Sequence, residues 1–474
     1  MIMALANDGI SIVASHQGAP VWLFPVGVVL TALGALIWYR RVQSNAASAA
    51  QEAPPTTLRM APVDAAWLHM DEPDNPADVI LLMTFDESPI LESVKATVAR
   101  RLLRFDRFRQ RVVEIDGQPH WESDGAFEIG NHVLAYDING ALTAERLAGV
   151  VSELGSGGFA AGRPLWSLHV VKGTDGTGAL VLRVHHCLGD GLALAHAVSF
   201  PERSADEPTA AGREPGRGSS RVVRVIGLAR SLSHTLLIPF GRARVLRAEV
   251  TGRRRMAWSA GFSLDMVKTV ARSHHVTLND VVLATLSGAL RRFLAERGEL
   301  AMERSVRAVV PANLRPVRWV EDVDDALENR FGLFFIDLPV EAATMRARLS
   351  AVKERMRAGN RLAEAAVVFG LLNVLGRGPA IWERFLTSFF LRKASVVVSN
   401  VPGPRAPVCF GGKQVREVMF WEPHPGPLGT AISILTYAGT IRMGTRVDEG
   451  VTDDPKRLVA LFEEELSAVL DGSS

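Results

Sequence analysis

The chain has 474 residues, which is too long for one ordinary hydrophobic core and predicts two domains. A hydrophobic fraction of 47% and a charged fraction of 22% exclude a disordered chain. The formal net charge of +2 gives no reason to expect a partner bound by overall charge, such as a nucleic acid. The two cysteines, Cys187 and Cys409, are too few for a disulfide framework.

An apolar run near the N-terminus predicts a transmembrane helix. Residues 21–39 are nineteen consecutive uncharged positions, and at about 1.5 Å per residue such a helix nearly crosses a hydrocarbon core about 30 Å thick. Trp22 stands at one end and the pair Trp38 and Tyr39 at the other, as aromatic anchors do at bilayer interfaces. We therefore expect a leader over residues 1–20 and one membrane-spanning helix over 21–39.

The charges around this run predict its orientation. Arg40 and Arg41 follow it at once and no lysine or arginine precedes it, so the positive-inside rule places the C-terminal bulk of the protein in the cytosol. The alternative is a secretory signal peptide with a cleavage region at 46–50, although the basic leading segment of such a peptide is missing. Residues 40–57, rich in Ala, Ser and Pro in their second part, are predicted to form a flexible linker.

The first folded domain is predicted over residues 58–200. Val79–Phe85 has the composition of a strand, and Leu91–Phe105 has helical apolar spacing. Toward the end of the domain, residues 179–184 predict a second strand, and residues 192–200 predict a short helix.

The segment between that strand and that helix is the strongest chemical signal in the chain. It reads His-His-x-x-x-Asp-Gly at residues 185–191. An imidazole at the end of a strand can be reached by a ligand, and it can take a proton near neutral pH. The motif therefore predicts a catalytic histidine.

A metal site and a structural histidine are the two other interpretations of this motif. His185 and His186 are adjacent on a strand, so their side chains point to opposite faces and cannot easily share one ion. The chain also lacks a His-Glu-x-x-His or Cys-x-x-Cys pattern. We predict no metal, and the seven-residue pattern favours catalysis over a structural histidine.

A basic region joins the two predicted domains. Residues 201–222 are predicted to be a crossover linker because the stretch up to 220 is rich in Pro, Gly, Glu and Arg and has no apolar period. Between Arg213 and Arg255 there are eleven arginines and two acidic residues. This pattern resembles a basic amphipathic helix on an anionic membrane surface, and a solvated helix face is the open alternative. Without aromatic platforms or a nucleic-acid motif, nucleic-acid binding is not predicted.

The second domain is predicted over residues 223–474. Leu264–Ala271 predicts a helix, and a second helix begins at Thr277 as N-cap, with Asp280 as its capping partner, and continues to about Leu294. Residues 366–375 are apolar almost all round but too short to span a bilayer, and they either fill the core, which we favour, or line a channel. The segments with strand character are Val306–Val310, Phe331–Ile336 and Ser395–Val398.

Several segments together resemble one family. The motif at 185–191 resembles the signature of the acyl-CoA-dependent acyltransferases, which include chloramphenicol acetyltransferases, condensation domains of peptide synthetases and the wax ester synthase/diacylglycerol acyltransferases. The order and spacing of five further segments, within about residues 58–471, resemble the last of these families. These segments are Pro62–Leu68, Pro164–Trp166, Asn279–Ala284, Val310–Arg315 and Ser399–Pro404.

The resemblance implies an α/β, two-domain fold like that of chloramphenicol acetyltransferase, with an active-site tunnel between the domains. It implies that a long-chain acyl group moves from acyl-CoA to a fatty alcohol, to diacylglycerol, or to both. No cofactor is implied, since acyl-CoA is a substrate, and no obligatory protein partner is expected. Membrane lipid is the remaining expected partner because the acceptor alcohols partition there.

The resemblance also assigns roles to residues. His186 is the general base for the acceptor hydroxyl, with His185 and Asp190 in support, and Asp190 is expected to hold its loop through an arginine, for which Arg315 is a candidate. Position 187 varies in the family, which implies a core role for Cys187. Asn279, Ser399 and Asn400 are candidate donors to the oxyanion, and for Asn279 helix capping or a core hydrogen bond is an equal alternative. Gly191 is expected to permit a tight turn into the following helix. The other motif residues are Asp280, Pro164, Leu165 and Trp166.

Ala438 stands where many relatives have an aspartate in Ser-Tyr-Asp-Gly, which is expected to alter the acceptor site or local folding. A membrane-tethered lipid-binding protein without catalysis is one alternative function. A condensation-like enzyme that uses carrier-protein thioesters is the other, although the chain has no fused carrier or adenylation domain.

Overall fold

The computed structural model describes residues 57–71, 75–199, 246, 250–300, 305–315, 327, 329–358, 361–375, 387–424 and 428–472. The predicted leader, the membrane-spanning helix, the linker up to residue 56 and the crossover linker lie outside the described residues. Among the helices that the structure does describe, none has both the length and the apolar character needed to cross a bilayer.

The N-terminal half alternates strands and helices up to the histidine motif. Its strands are β1 (Thr57–Arg59), β2 (Asp78–Phe85), β3 (Gln110–Ile115), β4 (Gln118–Ser123), β5 (Val133–Asp137), β6 (Trp166–Lys172) and β7 (Gly178–His185). Its helices are α1 (Pro62–His69), α2 (Leu91–Arg101), α3 (Ala144–Ser156) and α4 (Gly191–Ser199).

The C-terminal half has a longer run of strands framed by helices. Its strands are β8 (Arg254–Trp258), β9 (Phe262–Ser263), β10 (Val306–Asn313), β11 (Phe331–Leu338), β12 (Val396–Pro402), β13 (Cys409–Phe410), β14 (Lys413–Gln414), β15 (Glu417–Trp421), β16 (Thr430–Tyr437) and β17 (Thr440–Asp448). Its helices are α5 (Leu264–Ser273), α6 (Leu278–Glu296), α7 (Met345–Ala358), α8 (Arg361–Leu375) and α9 (Pro455–Leu470).

Two large mixed sheets form the α/β architecture. The first has the order β15-β2-β7-β6-β5, and the second has the order β11-β10-β12-β16-β17-β8, with β9 also paired to β17. Strand β15 comes from the C-terminal half but pairs antiparallel with β2, with Trp421 opposite Ile80. The C-terminal half therefore extends into the first sheet, and residues just after β15 reach the end of β7.

The predicted elements agree with the structure in type and differ at their ends. The helix predicted over Leu91–Phe105 ends at Arg101, because the apolar spacing beyond it belongs to Leu102 and Phe105, which are buried outside the helix. The strand predicted to end at Val398 continues to Pro402, because β12 pairs in parallel with β16 over that length. Helix α6 begins with the predicted capping box between Thr277 and Asp280.

The basic region is described only in small part. Arg254 and Arg255 lie in strand β8, and Arg254 is buried, so this end of the region is not a helix on a membrane surface. Nearly all of the rest lies outside the described residues. The apolar segment 366–375 belongs to α8, which packs on β11 and α1, and within it the side chains of Val367 and Val368 are buried.

Ala438 lies in the two-residue turn between β16 and β17. Its φ is 45° and that of Gly439 is 78°, which are the positive values that a tight hairpin turn with the twist of its strands requires. Aspartate and asparagine tolerate this left-handed conformation better than alanine does. The departure from the family pattern therefore has a local consequence, which is strain in this hairpin turn.

A buried group of charges joins the two sheets. Asp78 of β2 accepts hydrogen bonds from Arg183 Nε at 3.0 Å and from a terminal nitrogen of Arg446, in β17, at 2.6 Å. Burial alone would raise the pKa of Asp78, but the nearby cations Arg446, Arg183 and Arg254 together lower it. Asp78 is therefore a buried carboxylate held in its charged form by arginines from both halves of the chain.

Candidate active site

The two histidines of the motif point into different surroundings, as adjacent residues at a strand end do. Strand β7 ends at His185, and a short helical turn follows over His186–Leu188. Both side chains are buried, but only His186 lines the cavity described below. His186 therefore lies at the cavity, whereas His185 does not line it.

His186 is held by a side-chain amide from the other half of the chain. Its Nδ1 lies 3.1 Å from Oδ1 of Asn329. The two N–H groups of the same amide are both used, because Nδ2 of Asn329 donates to Asp64 Oδ1 at 2.8 Å and to the His186 carbonyl at 2.7 Å. The oxygen of the amide must therefore face Nδ1, and an amide oxygen can only accept. Nδ1 consequently carries the hydrogen, and Nε2 of the neutral ring keeps its lone pair.

Asp64 and Arg107 stabilise the orientation of the Asn329 amide. Asp64, in the first turn of α1, forms an ion pair with Arg107 at 2.9 Å. Arg107 also donates to the carbonyl oxygens of Leu188 and Leu327, both at 3.1 Å. Because a buried carboxylate needs a partner, these contacts stabilise Asp64, which in turn fixes the orientation of the Asn329 amide.

Aromatic rings restrict the position of the His186 ring. Trp67 stacks on it with centroids 3.9 Å apart and planes 18° from parallel. Phe331 approaches it at 5.6 Å with an interplanar angle of 50°. These contacts confine the imidazole and exclude water from one of its faces.

His185 supports the segment rather than the cavity. Its Nδ1 accepts the backbone N–H of Cys187 at 3.1 Å, and its Nε2 lies 3.1 Å from a carboxylate oxygen of Asp71. Asp71 also accepts the N–H of Ala77 at 2.6 Å. Cys187 is fully buried, and burial with the nearby Asp64 raises the pKa of its thiol well above the usual value, which disfavours the thiolate that a nucleophile needs.

Asp190 forms an ion pair with Arg315, the candidate partner expected from the sequence. One carboxylate oxygen lies 2.7 Å from Arg315 and accepts the backbone N–H of Arg330 at 3.0 Å. The other oxygen accepts the N–H of Ala193 in the first turn of α4 at 3.0 Å. Asp190 therefore anchors the loop after His186 to the C-terminal half and caps α4, and no contact joins it to the His186 ring.

A cavity of about 320 Å³ lies between the two halves and is lined by His186 and by Glu422, whose Oε2 is 3.5 Å from Nε2 of His186. Its walls are largely apolar, from Trp67 and Leu192 on one side and from β10, β11 and β12 on the other. A small number of polar side chains face it, which is typical of sites that orient an apolar ligand. They are His186, Asp190, Asn313, Arg315, Ser399, Asn400 and Glu422.

The three oxyanion candidates differ in position. Ser399 and Asn400 line the cavity, but Asn279 is not among its lining residues. Asn279 accepts a hydrogen bond from Nδ2 of Asn400 at 3.2 Å and so positions that amide. Asp280, next to it, belongs to the capping box of α6 and lies outside the cavity lining.

Packing explains the remaining motif residues, Gly191 and Pro164–Trp166. Gly191 lines the cavity, and a Cβ there would lie 3.1 Å from Oε1 of Glu422, so close approach explains this glycine better than the tight turn expected from the sequence. Trp166 is buried and donates to the Phe108 carbonyl at 2.8 Å. The carbonyl of Leu165, which follows Pro164 in the same motif, accepts the N–H of His185 at 2.9 Å. This motif therefore supports β7 from outside the cavity.

Sequence reasoning did not single out Asn329 or Glu422. Oε2 of Glu422 lies 3.5 Å from Nε2 of His186, and Asn329 is 143 positions from His186 along the chain. Neither lies in a segment with a chemical pattern. Asp64 and Trp67 did have a signal, because both lie in the Pro62–Leu68 segment quoted for the family.

Comparison of structures shows the class of fold. The wax ester synthase/diacylglycerol acyltransferase from Marinobacter aquaeolei VT8 matches with a TM-score of 0.64 and 21% identity, over 88% of this chain and 99% of that one. The first condensation domain of the calcium-dependent antibiotic synthetase matches with a TM-score of 0.58 and 14% identity, over 88% of this chain and 96% of that one. The protein thus has the two-domain fold of condensation domains and chloramphenicol-acetyltransferase-like enzymes.

Sequence comparison then gives the family. The model of the wax ester synthase/diacylglycerol acyltransferase catalytic domain matches residues 60–221, and that of the family's C-terminal domain matches residues 327–469. The chain belongs to the wax ester synthase/diacylglycerol acyltransferase family, and it is an acyltransferase. A relative from Mycobacterium tuberculosis, named "Probable diacyglycerol O-acyltransferase tgs1", is 26% identical over 445 residues, which are 86% of this chain and 95% of the relative.

The contacts of Asp190 predict a structural effect of its removal. Asp190→Ala leaves Arg315 without its carboxylate and removes the cap of α4, so the free energy of unfolding should fall by about 3–5 kcal/mol together with activity. Urea denaturation and turnover of the same preparations measure the two effects. Asp175→Ala, which changes an exposed aspartate in a turn, is the control and should change both little. A variant that unfolds like the unchanged protein but has lost turnover would contradict this role.

Proposed function

We propose that the protein transfers a long-chain acyl group from acyl-CoA to the hydroxyl of a fatty alcohol or of diacylglycerol, with His186 as the general base. One observation carries the proposal: His186 lines a largely apolar cavity, and its Nδ1 lies 3.1 Å from the amide oxygen of Asn329, which leaves Nε2 as the nitrogen for a substrate hydroxyl. The names of relatives in the family support acyl acceptors of this class.

The reaction follows from the position of the lone pair. An alcohol is a weak nucleophile at neutral pH, so Nε2 of His186 removes its proton as the alcohol oxygen bonds to the thioester carbonyl carbon. The carbon–sulfur bond of the tetrahedral intermediate then breaks, and the proton on Nε2 passes to the departing sulfur. The transfer is direct, and no acyl group is attached to the protein.

The carbonyl oxygen needs hydrogen-bond donors when it becomes negative. Asn400 suits this role because one N–H of its amide is bound to Asn279, which orients the group, and its side chain reaches the cavity. Ser399 suits it less, because its hydroxyl donates to Glu422 at 3.2 Å. We therefore assign the oxyanion to Asn400.

The alternatives are less well supported. A lipid-binding protein without catalysis would have no need for a histidine held in one tautomer at the cavity. The use of carrier-protein thioesters is supported only by the fold that the chain shares with condensation domains, and a shared fold does not define the substrate.

His186→Ala tests the proposed base. We expect turnover of labelled palmitoyl-CoA, with hexadecanol and diacylglycerol as parallel acceptors, to fall by about two to four orders of magnitude, because the hydroxyl loses its proton acceptor. The lipid products are resolved and counted, and thermal melting checks the fold. His185→Ala should have a milder effect, and the exposed His274→Ala should have none. Full transfer by a folded His186→Ala protein would contradict the mechanism.

We also propose that residues 21–39 anchor the protein in a membrane as a single span, with the acyltransferase domains on the cytosolic side. The support is the uncharged run with its aromatic ends and following arginines, which lies outside the described residues. Such an anchor would keep the enzyme where its lipid acceptors partition.

Membrane extraction tests this anchor. Carbonate or high-salt washing should release none of the full-length protein, because apolar burial is insensitive to both. Deletion of residues 1–56, which leaves β1 whole, should move the protein wholly into the soluble fraction, or partly if the region Arg213–Arg255 binds anionic lipid, while transfer to detergent-dispersed alcohol continues. Release of the full-length protein by carbonate would show peripheral attachment instead.

A further inference from the structure

We propose that Glu422 is a positioning residue for the reaction, acting through His186 as the counter-ion of the imidazolium that forms during acyl transfer. The inference rests on the proposed function of His186 and adds a residue that lies outside the family's motif.

The backbone of the C-terminal half delivers Glu422 to the base. Strand β15 is the edge strand of the first sheet, pairs with β2 and ends at Trp421, so Glu422 is the next residue. Its own backbone N–H donates to the hydroxyl of Ser433 at 3.1 Å. Glu422 is 7% exposed and lines the cavity. Its position is therefore set by sheet pairing and by a second strand.

The carboxylate itself is also oriented. Oε1 accepts the hydroxyl of Ser399 at 3.2 Å, and it lies close to Gly191, where a Cβ would come within 3.1 Å. Oε2 faces Nε2 of His186 at 3.5 Å. That separation is longer than an ordinary N–H···O hydrogen bond of about 2.7–3.2 Å. The carboxylate thus contributes charge beside Nε2 and leaves the lone pair available to a substrate hydroxyl.

Charge pairing separates Glu422 from the other acids near His186. Asp64 is paired with Arg107 and Asp190 with Arg315. Within the described part of the chain, the ion pair of Glu422 is with His186, whose ring is charged only when it takes a proton. A buried carboxylate favours the state in which it faces a cation. Glu422 therefore stabilises the protonated ring more than the neutral one.

The stronger stabilisation of the protonated His186 ring by Glu422 matters at one stage of the reaction. The hydroxyl proton moves to Nε2 as the oxygen–carbon bond forms, and an imidazolium then stands 3.5 Å from Glu422. When the carbon–sulfur bond breaks, the proton leaves Nε2 for the sulfur. Glu422 itself exchanges no proton in these steps. Stabilisation limited to this stage raises kcat, whereas equal stabilisation of all stages would not.

Charge-changing variants test the proposal. Glu422→Gln keeps the shape and the acceptor for Ser399 but removes the charge, so we expect kcat to fall roughly 10- to 100-fold, with KM for both substrates changed less than about threefold. Glu422→Asp keeps the charge and should retain more activity than Glu422→Gln, although glutamine is the better match in size. Glu417→Gln, at the start of the same strand, is the control and should leave kcat unchanged.

Chemical rescue gives a readout that a purely structural role would not move. Glu422→Ala leaves space beside His186, and added formate should raise its kcat at least several-fold, whereas formamide of similar size should not. Rates are normalised to folded protein by thermal melting. An unchanged kcat in Glu422→Gln, higher activity with glutamine than with aspartate, or equal rescue by formamide would overturn the proposal. Failure of the proposed function would instead appear as absent transfer in the unchanged protein.

Discussion

The structure depends on one constraint, which is that the buried carboxylates of the N-terminal half must be completed by groups from the C-terminal half. Asp64 accepts from Asn329, and Asp190 pairs with Arg315. Asp78 pairs with Arg446, which is itself fully buried. Asp64 and Asp78 would keep Arg107 and Arg183 from their own half, but separation of the halves would remove their contacts with Asn329 and Arg446. It would also take from Asp190 its ion pair with Arg315, and breaking such a buried pair costs several kcal/mol. These contacts therefore fix the position of one half relative to the other.

The fixed relative position of the two halves also prearranges the active site. The reacting nitrogen belongs to the N-terminal half, but the amide that sets its tautomer and the carboxylate beside it, Glu422, come from the C-terminal half. A base whose proton position is set before substrate arrives has less rearrangement to make in the transition state. The apolar cavity around it lowers the local dielectric, so the same charges act more strongly there than in water.

Sequence alone predicted the parts of this account that are local. The strand ending in two histidines, the capping box at Thr277 and the likeness to the family all came from short segments. The role of Asn329 could not be predicted, because it depends on a hydrogen bond across 143 positions. Glu422 was missed for a similar reason, since β15 reaches the first sheet only through long-range pairing. The glycine at 191 was noticed, but its reason, close approach to Glu422, required the structure.

The most direct test of the central claim is the protonation pattern of the His186 ring, read by ¹⁵N NMR of protein with labelled histidine side chains at neutral pH. The signals of His186 are assigned by their loss in His186→Ala. The account predicts that the neutral form of the ring carries its hydrogen on Nδ1 and leaves Nε2 unprotonated, because the amide oxygen of Asn329 can only accept. A neutral ring with its hydrogen on Nε2 would contradict the account, since the nitrogen facing the cavity could not then accept a proton from the alcohol.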